Sequence, residues 1–169
     1  MGLTNFTIYD QDTIEAHNLA SQSYPVYDVE RRKIASIGEQ MLSFNPEVKF
    51  ETHAEWFTGV EQVGSILISA VDSMDARRKI CENLPPDTFV FDGRMGGGQI
   101  EVHSQSALDW AKTLEKDGDD DPCGARFISY TSYVMAGLIA NQVKRYLMKQ
   151  RMAKTILLHM DTLELITVF

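Results

Sequence analysis

The sequence predicts an α/β protein: an open, mostly parallel sheet with flanking helices, closed by antiparallel strands at its C-terminal end. Three observations predict it. Short apolar and β-branched runs alternate with stretches of helical period, the signature of strands and helices in turn. Ser65-Ile66-Leu67-Ile68-Ser69-Ala70-Val71 is nearly continuous in apolar character, as a central parallel strand covered on both faces should be. Thr155 to His159 and Leu163 to Val168 flank Asp161-Thr162 and read as an antiparallel pair.

Phe6-Thr7-Ile8-Tyr9 is the first strand and ends at Asp10. An irregular Asn-, Ser- and Gln-rich stretch, Asp12 to Asp28, follows. A helix is then expected from Asp28, as its N-cap, to Ser43, with Ile34, Ile37, Met41 and Leu42 on one stripe. Asn45-Pro46 ends it, because the residue before proline is pushed out of the α region. Val48 to Thr52 and the strong run at Ser65 are strands, Asp75 to Leu84 is a helix stopped by Pro85-Pro86, and Thr88 to Phe91 is the next strand. Gly93 to Gly98 reads as a flexible hairpin turn into Gln99 to His103. It lacks the Gly-Lys-Ser/Thr ending of a phosphate loop. The longest helix is expected at about Ser132 to Arg151, with Met135, Leu138, Ile139, Tyr146 and Leu147 buried. No repeat or low-complexity linker divides the chain, so residues 1–169 are read as one domain.

Composition narrows the function. A hydrophobic fraction of 44% and a charged fraction of 24% are those of a soluble globular protein, and the cytoplasm is the default. No apolar run approaches the roughly 20 residues that span a bilayer, and Met1 to Asp10 lacks the features of a signal peptide. The net charge of −8 repels phosphate backbones, which disfavours nucleic acid. Cys81 and Cys123 cannot build a disulfide framework or a structural zinc site, and the four histidines are scattered. Lys144, Arg145, Lys149, Arg151 and Lys154 suit the negative end of a long helix.

The segments that carry chemistry occur in order. Ile8-Tyr9-Asp10-Gln11-Asp12 is followed by His17-Asn18-Leu19-Ala20-Ser21-Gln22, then by Asp28-Val29, Lys33 and Asn45-Pro46. Further on come Asp72-Ser73-Met74-Asp75-Ala76-Arg77 and Cys123 ahead of a long helix. This series resembles the ThiF/MoeB/HesA adenylating enzymes, the family that also contains the ubiquitin-activating enzymes. Its pattern is a D-x-D pair, an N-L-x-R-Q segment, a helical lysine, an N-P stop and a D-N/S-x-x-x-R segment. The likeness covers about Gly2 to Leu147 and implies a Rossmann-like fold.

The resemblance implies roles residue by residue. Asp10, with Asp12 and Asn18 at the family's spacing, would contact nucleotide, Asp10 by accepting from ribose hydroxyls; taken alone it is an exposed turn aspartate. Lys33 would stand near the polyphosphate, or be an ordinary surface lysine beside Arg31 and Arg32. Asp72 would position Mg²⁺, or cap a helix. Cys123 would be a thioester or persulfide carrier, although Asp119, Asp120 and Asp121 should raise its pKa, and a nonreactive loop cysteine fits as well. Cys81 reads as core. ATP with Mg²⁺, a small ubiquitin-like or sulfur-carrier protein as substrate, and homo-oligomerisation complete the expectation. The rival reading is a non-catalytic or partial family member whose partner completes the site.

Two departures qualify it. The family begins with a strand, a glycine-rich phosphate loop and a helix, whereas the strand ending at Asp10 corresponds to its second strand. Truncation, an earlier true start or a second polypeptide would each account for that. The arginine of N-L-x-R-Q is Ser21 here, and a serine has no guanidinium to offer a phosphate; Arg94 or Arg126 could substitute from elsewhere in the fold.

Overall fold

The computed structural model describes residues 3–116 and 129–169. They gather into two compact units, Met1–Phe57 and Thr58–Phe169. In the first, β1 (Asn5–Tyr9) pairs in parallel with β2 (Lys49–His53), Asn5 opposite Lys49 and Tyr9 opposite His53. Two 3₁₀ turns, Ala16–Ala20 and Val26–Asp28, and helix α1 (Lys33–Phe44) make the crossover. Tyr9 stacks on His53 with centroids 4.4 Å apart, closing the carboxyl end of the strand pair.

Helix α1 starts four residues later than the sequence suggests, and Asp28 is not its cap. Arg32 is the N-cap residue, with no side-chain capping bond. The reason is Glu30, whose backbone takes φ 72°, a left-handed conformation that no helix continues. Asp28 is instead 3% exposed and serves the helix from outside. It accepts a hydrogen bond from Ser36 Oγ at 2.6 Å and another from Arg31 Nη1 at 2.5 Å.

The second unit holds a five-stranded sheet in the order β3-β4-β5-β6-β7. β3 is Ile66–Ser69, β4 Phe89–Gly96, β5 Gln99–Ser106, β6 Thr155–His159 and β7 Glu164–Val168. Helix α2 (Met74–Asn83) links β3 to β4, which pair in parallel; the other three pairings are antiparallel. The fold is thus mixed α/β, with the antiparallel strands at its C-terminal end as expected.

The glycine run is shorter as a turn than Gly93–Gly98 suggests. β4 continues through Gly96, and Gly97, at φ 57°, turns the chain with Gly98. Gly93 lies inside the strand because helix α4 (Ser129–Leu147) crosses there. A Cβ on Gly93 would sit 2.8 Å from Ile139 Cδ1. Thr131, Met135, Ile139, Gln142 and Val143 are the buried stripe of α4, whereas Leu147 is 43% exposed. The helix ends one turn earlier than expected, and the chain turns away through Lys149 at φ 53°.

Helix α3 (Ala107–Lys116) is an element the sequence reading passed over. Its signal is Ala107, Trp110 and Leu114 at i, i+3 and i+7, all buried. The fully buried Trp110 donates its Nε1–H to Asp92 Oδ2 at 3.0 Å. Asp92 also accepts from Arg77 Nε at 2.9 Å and Arg94 Nε at 2.8 Å. Burial alone pushes the Asp92 carboxyl up, but the two guanidiniums outweigh it and hold it below the ordinary value. Val90, Phe91, Ile100 and Val102 complete the apolar part of this core.

Candidate functional site

The site begins where β1 runs out. Asp10 N–H still reaches His53 O at 3.1 Å, and the Asp10 carboxylate then accepts from Asp12 N–H at 2.7 Å, which bends the chain off the sheet. The segment after the bend is laced to the entry of α1. Ile14 N–H donates to Arg31 O, Glu30 N–H to Ile14 O, and Lys33 N–H to Asp12 O, at 2.8, 2.8 and 3.0 Å. Thr13 and Arg32 form a β-bridge between them. Segments far apart in sequence are thereby held side by side.

This lacing opens a polar hollow of about 270 Å³. Asp12, Asn18 and Lys33, three of the residues singled out from sequence, line it together. The Lys33 ammonium is 2.8 Å from Asp12 Oδ2. Asn18 is 7% exposed, and its side-chain oxygen accepts from Glu15 N–H at 2.9 Å, which fixes how its amide faces. Gln11, Glu15 and Arg32 also contribute to the wall. Asp10 adjoins the hollow through Asp12 without lining it. Burial raises the Asp10 carboxyl above its usual value, against the Asp12 N–H and the Lys33 charge, which lower it. The Tyr24 phenol is pushed up first by its own burial and then by the carboxylates of Asp10 and Asp12.

Asp72 belongs to the second unit. It is exposed, in the turn between β3 and α2, and it is not the helix cap. Ser73 is, accepting from Ala76 N–H at 3.1 Å. Among the described residues no three His, Cys, Asp or Glu side chains cluster as a metal cage. A single carboxylate is nonetheless compatible with Mg²⁺, which keeps waters and shares substrate phosphates rather than needing an all-protein cage. Cys123 and Arg126 lie outside the described residues. Arg94, considered above as a stand-in for the missing arginine, is 4% exposed and bound to Asp92 inside the second sheet. Cys81 is half-buried on α2, its thiol 3.7 Å from Ala107 O and raised in pKa mainly by burial.

The comparisons with known proteins bear on the whole chain. The ThiF family model matches residues 1–167. The chain belongs to the ThiF family.

Solved structures agree on the fold. Escherichia coli MccB with ATP superposes with a TM-score of 0.75 at 17% identity, over 98% of this chain and 56% of that one. The Microcin C7 biosynthetic enzyme MccB in complex with N-formylated MccA gives 0.72 at 15% identity, over 98% and 57%. PaaA gives 0.72 at 19%, over 96% and 55%. This ThiF-family chain therefore spans little more than half the length of those structures. No curated protein matches its sequence. Arg32, which the sequence reading names only as a neighbour of Lys33, also lines the hollow, its backbone bridged to Thr13.

Proposed function

We propose that this ThiF-family chain carries part of an ATP-dependent adenylyltransferase site. Its substrate would be the C-terminal carboxylate of a small ubiquitin-like or sulfur-carrier protein. The observation that supports this reading most is the hollow beside the carboxyl end of β1, where Asp12, Asn18 and Lys33 meet. Ligand clefts commonly enclose about 300–1,000 Å³, so a hollow of about 270 Å³ suits a portion of a nucleotide, such as its phosphates.

In this reading a carboxylate oxygen attacks the α-phosphorus of ATP, the bond to the β-phosphate oxygen breaks, and pyrophosphate leaves with the electron pair. Lys33, held ready by Asp12, neutralises charge on the phosphates as they separate. Asp10 accepts from the ribose hydroxyls, and the Asn18 amide contacts the nucleotide. By the family resemblance Asp72 would be an oxygen ligand for Mg²⁺, whose contribution would be to screen phosphate charge. Cys123 would take the activated acyl group as a thioester, releasing AMP, in an optional second step. That MccB has been solved with ATP and in complex with N-formylated MccA supports, by analogy, a nucleotide and a second bound partner for this fold.

The competing reading is a binding module that needs a partner to complete the site, favoured by Ser21. Self-association belongs to either reading. In the described residues no helix is long and apolar enough to cross a membrane.

Exchange of labelled pyrophosphate into ATP by the purified chain tests the enzymatic reading. We expect exchange that depends on a carrier with a free C-terminal carboxylate. ATP binding without any exchange would favour the binding module instead, and absence of both would remove the nucleotide from the site.

A further inference from the structure

One cation on the wall of the hollow extends this reading, and the inference rests on it. Three cations stand in succession at the entry of α1. Arg31 is paired twice, with Asp28 and with Glu39 at 2.5 Å each, and Lys33 is paired with Asp12. Arg32, between them, lines the hollow and makes no ion pair among the described residues. Its main chain is bridged to Thr13, and its Nη1 donates to the carbonyl of Gln11. That bond uses one of five N–H donors, and its acceptor is neutral. The guanidinium is thus oriented without its charge being cancelled by a carboxylate among the described residues.

Elsewhere in the lining, Asp12 is matched by Lys33 and Glu15 pairs with His17 at 3.3 Å. Ser21, where the family's pattern has arginine, is buried in the 3₁₀ region and is not part of the wall. Arg32 also occupies the N-cap position of a 12-residue helix, whose dipole adds positive potential at the same place.

We infer that Arg32 is the guanidinium that meets the nucleotide's polyphosphate, delivering from the start of α1 the forked contact that Ser21 does not make. A fork on phosphate needs both charge and planar geometry, so lysine should replace it only in part. The inference assigns Arg32 a specificity for phosphates over the nucleoside.

The test is calorimetric titration of the full chain and of Arg32→Ala and Arg32→Lys with inorganic pyrophosphate, ATP and adenosine. Thermal melts would confirm that each variant folds. Arg32→Ala should weaken pyrophosphate and ATP about tenfold or more, leave adenosine within about twofold, and be partly rescued by Arg32→Lys. Unchanged pyrophosphate affinity in Arg32→Ala, or no pyrophosphate binding by the wild-type chain, overturns the inference. Arg32-dependent pyrophosphate binding without any binding of ATP or adenosine would keep the anion contact and remove the nucleotide reading. Adenosine and ATP binding with no dependence on Arg32 would do the reverse.

Discussion

Asp28 shows how a single carboxylate tethers two pieces of chain. The Ser36 hydroxyl is the larger reason its pKa falls below the usual value; burial opposes it and Arg31 reinforces it. A carboxyl whose folded pKa lies below its unfolded one stabilises the fold above the unfolded value, and that contribution disappears as the pH falls through the folded value. Stability should therefore decline in acid from about pH 4 downward, and Asp28→Asn should flatten that part of the profile. Urea melts from pH 7 to pH 2 would measure it. A variant with the wild-type acid slope would show that Asp28 is not the responsible group.

Glu30 stores strain in the same loop. It is exposed and sits at φ 72°, where an L residue is destabilised by about 1–2 kcal/mol, while glycine's own flexibility costs about 0.5–1 kcal/mol. Glu30→Gly should stabilise the chain by roughly 1 kcal/mol, visible as a higher thermal midpoint. An unchanged or lower midpoint would mean that the loop relaxes some other way.

Elements in this protein are placed by what their ends touch. The loop before β3 docks on the last turn of α2: Asn83 Nδ2 donates to Thr58 O at 3.0 Å, and Glu61 accepts from Thr58 N–H at 3.0 Å. Gly59 makes this approach feasible. Its φ is +86°, and a Cβ there would lie 2.3 Å from Ile80 O, a backbone atom that cannot swing aside. Gly59→Ala should cost about 2–4 kcal/mol, combining left-handed strain with overpacking. Chemical denaturation would read the cost, and a loss below about 0.5 kcal/mol would contradict the close packing.

Element boundaries were less legible than element existence. The stripe Ile34, Ile37, Met41 reads as a helix from sequence, but its start depends on a left-handed residue that composition does not mark. Helix α3 was masked by its neighbours, a strand before it and an acidic run after it, although Trp110 and Leu114 carried the period.

At the scale of the molecule, one edge of the five-stranded sheet is β7, and every residue of it is exposed. Leu165, Ile166 and Val168 are 57%, 48% and 50% exposed on a strand with a single described neighbour, β6. Open apolar edges invite pairing with another chain. We therefore expect the protein to self-associate through β7, with Ile166→Lys shifting it toward monomer at little cost in stability. Light scattering across a concentration series would decide, and a wild-type chain that stays monomeric would dispose of the idea.

The net charge of −8 was readable at once, and it bounds the partners whatever the fold. So did the order of the motifs, because the local chemistry of a strand end, a turn and a helix start is encoded in adjacent residues. Alternation of period gave the α/β class for the same reason: hydrophobic spacing is a local property. What only the tertiary structure decided is which distant side chains share a space. Lys33 meets Asp12 across 21 positions, and Arg32 reaches the hollow through its bridge to Thr13. Arg77 and Arg94 converge on Asp92 inside a core that no periodicity announces. Those meetings depend on hydrogen bonds and packing between segments far apart in sequence, and no window of neighbouring residues contains them.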